Sequence, residues 1–374
     1  MSSLQKNYIY ESVAALSSLL FPLISFPYLT QTLGPAAIGT VNYIDFLAGL
    51  IIAFTSFGIP LFGKRETARL SGQPAQQAMV LSQLTGLWTL IGLIGCCLFV
   101  LFLLNHPWFG NEAMLIGLGC IHILATILAA DWFLQGRESF GFLAIRNIGL
   151  RTAGLIALFL LVRDPSDLVT YYAIIVCTQV LTVAINYTIM RPKASAMHPA
   201  RAWKEHKGIL TYFFILSSFI TIYDFTDTVI LGLFRSDAAV GYYTVAMKLV
   251  RMSLVLILTA NTIIYPRMAH AIAGADADKA RFLLQRSIVL VMTLAVPAGV
   301  LYHTLAPQLI QVFAGPAFTE SVVLVQWLAP LPLLIAWSNL FLLYHLSAAS
   351  GRTSLWKVVL GIFAINLLVN ALLI

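Results

Sequence analysis

Apolar residues run along this chain in long unbroken blocks. Eleven of them are long enough to cross a hydrocarbon core of about 30 Å, which takes roughly 20 helical residues. They lie near Tyr10–Leu33, Ile38–Leu61, Leu81–Leu104, Ala113–Leu134, Phe140–Val162, Leu168–Met190, Ile209–Phe234, Ala239–Ile264, Leu284–Leu305, Ser321–Leu346 and Leu355–Ile374. No stretch sustains the period-2 alternation of a barrel strand, so the pattern predicts an all-α integral membrane protein. The seventh and eighth blocks form a hairpin from Tyr212 to Thr262 around the polar turn Arg235-Ser236-Asp237.

Composition agrees with the pattern. The chain is 60% hydrophobic and 10% charged, with mean hydropathy +0.89, whereas a soluble surface takes about 25% charged residues. Cys96, Cys97, Cys120 and Cys177 all lie in apolar blocks without metal-ligand spacing, and read as small membrane hydrophobes. The net charge of +7 is a topology signal and does not call for a nucleic-acid partner. Sixteen of the 22 basic residues, from Lys6 through Lys64, Arg65 and Arg69 to Arg352 and Lys357, fall on alternate loops. The opposite loops hold only Arg163 and Arg235. The positive-inside rule then puts the N-terminus and the basic loops in the cytoplasm. The first block contains Pro22 and Pro27 and no small-residue cleavage site, as a retained, bent helix does.

The chain also repeats itself at an offset of 202, which pairs Gly39 with Gly241, Arg65 with Arg267, Gly72 with Gly274 and Gln83 with Gln285. Six helices separate the copies, so the expected architecture is two six-helix lobes in parallel repeat about an axis along the membrane normal, with a site between them. The first lobe is expected over residues 1–190, a basic linker over 191–208, and the second lobe over 209–374. On that scheme the second lobe has five helices, and the twelfth is expected to be missing after Ile374.

Charges inside the blocks are the candidate chemistry, because a charge near the bilayer centre costs roughly 2.5–3.5 kcal/mol on insertion scales and so faces a bundle interior or wet cavity. Asp224 and Asp227 precede the hairpin turn, and Lys248 and Arg251 follow it, each pair at i, i+3 on one helix face. At 1.5 Å per residue Arg151 lies about 16 Å from its cytoplasmic end, and Lys248 and Arg251 about 14–18 Å from their outer end. These three cations are expected near mid-bilayer as a receptor for an anionic headgroup, since Arg and Lys give charge-assisted hydrogen bonds to phosphate. Arg146 joins them as a shallower candidate. The alternative for the hairpin is that Asp224 pairs with Lys248 and Asp227 with Arg251. Asp45 and Asp131, nearer helix ends, are expected to be structural, with proton or cation binding the other option; Asp45, Asp224 and Asp227 are the ion-coupling candidates. His122, His303 and His345 read as packing positions, and Asp276-Ala277-Asp278 as a loop and not a metal motif. No Walker sequence occurs, and no cofactor or metal is expected.

Several stretches carry a family resemblance. They are Pro27-Tyr28-Leu29 with Leu33-Gly34, Phe57-Gly58-Ile59-Pro60 with Arg65-Glu66, and Trp132-Phe133-Leu134-Gln135-Gly136. In the second half they are Ile230-Leu231-Gly232, Val240-Gly241-Tyr242-Tyr243 with Ala246-Met247-Lys248, Pro266-Arg267, Phe313 to Phe318, Ser338-Asn339 and Ser350-Gly351-Arg352. With these the chain resembles the polysaccharide-unit flippases of the multidrug/oligosaccharidyl-lipid/polysaccharide exporter superfamily. The resemblance implies two lobes around a cationic central cavity that opens alternately to each side of a bacterial inner membrane. It implies as substrate an undecaprenyl-diphosphate-linked oligosaccharide, moved from the cytoplasmic to the periplasmic leaflet among membrane lipid. A polysaccharide polymerase and a chain-length regulator are the protein partners expected with it.

A multidrug exporter of organic cations is the alternative; it predicts a net acidic cavity. A polysaccharide polymerase or ligase would need a large outer loop with catalytic groups, and the longest outer connection here is about ten residues. A non-transporting scaffold would have no reason to keep unpaired cations at mid-bilayer.

Overall fold

The structure is a computed structural model that describes residues 3–106, 112–190, 199–254 and 277–348; within helices, the side chains of 3–9, 11, 12, 15, 16, 19, 199–202, 215–226, 277, 279, 280, 339 and 341–348 lie outside the description. All regular structure in these residues is helical. The helices are α1 (Ser3–Ser56), α2 (Ile59–Arg69), α3 (Pro74–Leu104), α4 (Ala113–Ala129), α5 (Asp131–Gly136), α6 (Phe140–Leu161), α7 (Leu168–Met190) and α8 (Pro199–Phe234), then α9 (237–254), α10 (Ala277–Thr304), α11 (Ala306–Phe313), α12 (Ser321–Leu328) and α13 (Leu331–Ala348). Seven helices among the described residues are long and apolar enough to cross a membrane. The first of these, Leu20–Ser56, holds the first two expected spans as one helix broken at Gly34 (φ 77°, ψ 175°). The eleventh expected span and the end of the eighth lie outside the described residues. The expected hairpin turn stands between α8 and α9.

Membrane helices bury one apolar face and turn another to lipid, so the sequence shows little amphipathic contrast. Helix α3 illustrates this. Gly92, Gly95, Cys96, Phe99 and Leu103 are buried, while Leu90, Leu93, Ile94, Leu98 and Leu101 are exposed. With no hydrophobic drive between such helices, association rests on close packing at small residues. A Cβ on Gly95 would stand 2.7 Å from Ile51 and Thr55 of α1, and one on Gly119 of α4 would stand 2.6 Å from Phe99 of α3. The larger core lies among α1, α3, α4, α6 and α7 around Tyr43, Phe99, Leu84 and Tyr172; a smaller one joins α10 to α13 through Val291, Ala295, Ala336 and Leu340.

The two halves of the chain meet along the second arm of α1. At one end α1 crosses α9 backbone to backbone. A Cβ on Gly39 would overlap the Asp237 carbonyl oxygen and stand 2.9 Å from the Gly241 nitrogen. A Cβ on Gly241 would overlap the Pro35 carbonyl oxygen and stand 3.3 Å from the Gly39 nitrogen. The contact is reciprocal, and Pro35 and Asp237 are separated by the same 202 residues as the two glycines. Nearby, Phe26 packs on Phe313 at 5.6 Å, the Thr30 hydroxyl donates to the Phe313 carbonyl (3.3 Å), and the Ser321 hydroxyl donates to the Tyr242 carbonyl (3.0 Å).

At the other end, which carries the basic loops, Phe57 (φ 45°) and Gly58 (φ 70°) are both left-handed and turn the chain from α1 into α2. Gly58 lies against the α8 backbone, where a Cβ would stand 2.8 Å from the Phe214 nitrogen. Phe57 stacks on Phe214 (4.5 Å, 16°) and meets Trp203 edge-on (5.5 Å, 89°). Helix α2 was not expected from the sequence; it is short, and its charged face hides it from a hydropathy reading. Helix α5 docks on it, with Trp132 across Gly63 and Gly136 against the Lys64 carbonyl. The Trp132–Gly136 and Phe57–Pro60 stretches are thus packing signatures of the basic end.

Gly39→Ala should lower the melting midpoint of the detergent-purified protein, since overpacking a tight contact costs about 1–3 kcal/mol. Gly117→Ala, where a Cβ meets nothing within 4 Å, should leave it unchanged or raise it, because alanine is about 1 kcal/mol better than glycine in a helix. Equal effects at the two positions would contradict the backbone contact.

Candidate functional site

Among the described residues, three of the charged or polar groupings inside the membrane helices stand apart from one another. The first is a closed clamp. Arg146 of α6 donates from Nη1 and Nη2 to both carboxylate oxygens of Asp131 (2.7 and 2.9 Å), and also to Asn186 of α7 and to its neighbour Asn147. Asn186 in turn donates to Asp131 (2.8 Å) and to the carbonyl of Ala129 (2.6 Å), which the break at Ala130 (φ 45°) leaves without a helical partner. Bidentate pairing of this kind uses the guanidinium fully. Arg146 was expected at the substrate; its side chain is instead 2% exposed and holds α5, α6 and α7 together. Asp131 is the carboxylate of this clamp.

The second grouping is Lys248 on α9. Its ammonium donates to the Asn42 side chain (3.1 Å) and stands over the Phe26 ring (4.0 Å), so both arms of α1 hold it at the seam between the two halves. No carboxylate of the described residues is ion-paired to it. One turn along α1 from Asn42, Asp45 lies 3.9 Å from His122 Nε2 of α4, and His122 stacks on Tyr172 of α7 (6.5 Å, 20°). Asp45 Oδ1, His122 Nδ1 and Tyr172 Oη are buried with no hydrogen-bond partner among the described residues. His122, read from the sequence as packing, thus belongs to a polar cluster beside the seam. Nothing in the spacing of Asp45 and His122 signals that their helices are neighbours.

The third is Arg151 on α6. It donates to Ser17 Oγ (2.7 Å) and the Ala14 carbonyl (3.3 Å) of α1, and no carboxylate of the described residues reaches it. It lines a cavity of about 320 Å³ bounded by α1, α6 and α7. Ser17 and Phe26 are nine residues apart on α1, so Arg151 is about 13 Å nearer the basic end than Lys248. The two cations also lie on different faces of α1, since Phe21, Ser25 and Leu29 line the Arg151 cavity and Phe26 faces Lys248. The expected cluster of three cations is therefore divided. Arg251 is exposed. Asp227 accepts from the Tyr243 hydroxyl (3.1 Å), and the Asp224 side chain lies outside the described residues.

Outside the spans, the hydrogen bond from Arg69, with Arg65 and His206 adding positive field, holds the Glu66 carboxyl below its usual range. Arg69 is exposed, so this pair is worth little to stability. No group of three or more potential metal ligands occurs among the described residues.

A many-spanned, all-helical membrane protein with ionisable groups at the seam between two halves has the build of a transporter. Comparison with known proteins agrees. The family model described as "Polysaccharide biosynthesis protein" matches residues 4–272, and the chain belongs to that family. The MatE family model matches residues 214–372. A protein of Escherichia coli (strain K12) named "Putative O-antigen transporter" is 22% identical over 380 residues, covering 98% of this chain and 89% of its own. One of the same name from Shigella dysenteriae is 22% identical, covering 90% and 84%. The fold is that of a solved structure titled "Inward-facing conformation of a multidrug resistance MATE family transporter of the MOP superfamily" (TM-score 0.65, 12% identity, 94% of this chain and 87% of that one).

Asp131→Ala should cost about 3 kcal/mol, because it leaves the Arg146 guanidinium buried and unpaired; the partial exposure of Asp131 keeps the cost at the low end for a buried pair. The double variant Arg146→Met with Asp131→Leu should regain most of that in thermal melts. If it regains stability and transport together, the clamp is structural; stability without transport would return Arg146 to the substrate.

Proposed function

We propose that this chain is a flippase for an oligosaccharide carried on a polyprenyl diphosphate, undecaprenyl in a bacterial inner membrane, moved from the cytoplasmic to the periplasmic leaflet. Family membership over residues 4–272 supports the class of substrate. The observation that carries the site is Lys248, an ammonium held at the seam by Asn42 and Phe26 with no carboxylate ion-paired to it among the described residues. Such a cation is costly in a low-dielectric interior unless an anion comes to it. A diphosphate supplies that anion and gains charge-assisted hydrogen bonds in return. Arg151, nearer the basic end, is the second cation the phosphates meet.

The barrier the protein removes belongs to the sugars. Each hydroxyl taken unpaired into hydrocarbon costs several kcal/mol, and a wet path between the halves avoids that cost without covalent chemistry. We read the two halves as lobes that open alternately to either leaflet, with the basic loops and the N-terminus on the cytoplasmic side. The reciprocal crossing at Gly39 and Gly241 supports a shared pivot. Asp45 with His122 is the place where proton binding would couple to that motion, because it adjoins Lys248 through Asn42.

The second reading is an exporter of organic cations, favoured by the match of the MatE family model to residues 214–372. It would use Asp45 as the counter-charge and make Lys248 an obstacle.

In a strain lacking its own flippase, the chain should restore surface polysaccharide. Lys248→Ala and Arg151→Ala should each lower that yield by about tenfold or more at equal membrane levels, the scale of one charge-assisted contact. Full rescue by both variants would sink the phosphate reading; drug resistance that rises in Lys248→Ala would favour the exporter.

A further inference from the structure

The Arg151 cavity is a slot with unlike ends. On α6 its lining runs from Asn147 and Arg151 to Leu158, eleven residues or about 16 Å. Helix α7 runs the opposite way, so Thr182 and Gln179 stand beside Arg151, while Ile174 and Tyr171 stand beside Leu158. Helix α1 closes the apolar end with Leu29. One end therefore offers a guanidinium with amide and hydroxyl groups, and the other offers hydrocarbon. Gly154 keeps the middle open: a Cβ there would stand 3.2 Å from Thr178 Cγ2, and a longer side chain would enter the slot. The surfaces beside it are apolar and exposed at Leu20 and Ile24 on α1 and Val180 and Leu181 on α7, as a lipid-facing entrance requires.

We propose that this slot binds the phosphate-bearing end of a single-chain lipid, with the anion on Arg151 and the first carbons of the chain between Leu29, Leu158 and Ile174. Charge and shape select that occupant. Among the described residues Arg151 donates to a hydroxyl and a carbonyl of α1, which leaves guanidinium donors for an anion. A free phosphate would leave the apolar end unfilled, and an uncharged chain would leave the guanidinium unneutralised. A cavity of about 320 Å³ has no space for a sugar chain beside a lipid chain, so the slot reads carrier phosphate and hydrocarbon and leaves the saccharide outside. The naming of that lipid as the carrier of the flipped saccharide rests on the flippase reading; the existence of the site does not.

The test uses the full chain purified in neutral detergent, with dodecyl phosphate as probe and the melting midpoint as readout, since a ligand that binds only the folded form raises it. Dodecyl phosphate should raise the midpoint, and dodecanol or inorganic phosphate at the same concentration should not. Arg151→Gln should abolish the rise, and Arg69→Gln, at an exposed guanidinium, should retain it. Gly154→Leu, which fills the slot and keeps the guanidinium, should abolish it too and serves where Arg151→Gln does not fold. An equal rise with inorganic phosphate, or one that survives both slot variants, would overturn the proposal. A rise that survives them while rescue still requires Lys248 would remove the slot and leave the flippase. A rise that needs Arg151 in a chain that rescues no polysaccharide would keep the slot and remove the flippase.

Discussion

In a bilayer two helices gain almost nothing from burying leucine against leucine, because the lipid they leave is equally apolar. What holds the halves of this chain at a fixed distance is the approach of backbone to backbone where α1 crosses α9, and only glycine at 39 and 241 allows it. That crossing brings Asn42, one turn further along α1, to the Lys248 ammonium. The same arm of α1 reaches the basic end, where Gly58 and Phe57 meet Phe213 and Phe214. A single helix arm thus spaces the halves at both ends, and the polar groups at the seam inherit their positions from it.

The charges inside the membrane show three ways of meeting the same cost. Arg146 is neutralised by Asp131 and saturated by Asn186, and the result is a rigid joint among three helices. Asp45 and His122 stand at 3.9 Å, each with a buried atom that has no hydrogen-bond partner among the described residues. Among the described residues, the hydrogen bonds of Lys248 and Arg151 go to neutral groups. Neutral hydrogen bonds recover part of the lost hydration of a cation but none of its charge. The groups fall in an order from closed to open, and the most open two are those best placed to receive an anion from outside the protein.

Depth was legible in the sequence only in part, and direction was not. Runs of apolar residues and the polar break between them mark helix ends, so most of the spans and the turn at Arg235 could be read from one chain. Which side of a helix a charge faces depends on neighbours that hydropathy does not identify. The partners of Arg146 were not legible because they come from α5 and α7, and the break at Ala130 that points Asp131 toward it has no composition signal. Arg151 and Lys248 were placed at one depth by counting from helix ends, whereas their contacts on α1 stand about 13 Å apart along that helix and on different faces of it. Helices α2 and α5 were missed for a related reason: they pack at the membrane edge, and their signal is a set of glycine and tryptophan contacts between distant segments.

On the flippase reading, the partition made by α1 bears on how a charged lipid crosses. One face of α1, through Phe21, Ser25 and Leu29, borders a slot with lipid-like polarity. The neighbouring face, through Phe26 and Thr30, borders the second half of the chain at Lys248 and Phe313. Pro22 and Pro27 lie in this stretch and remove backbone hydrogen bonds there. A helix weakened at that level is the element best able to change its bend without losing its ends. If α1 straightens or bends there, the two cations change their relation to each other and to the seam while Arg146 stays fixed in its clamp. The proline-weakened stretch of α1 thus lies between its contacts to the two cations, Ser17 at Arg151 and Phe26 at Lys248, while the Arg146 clamp among α5, α6 and α7 stands apart from it.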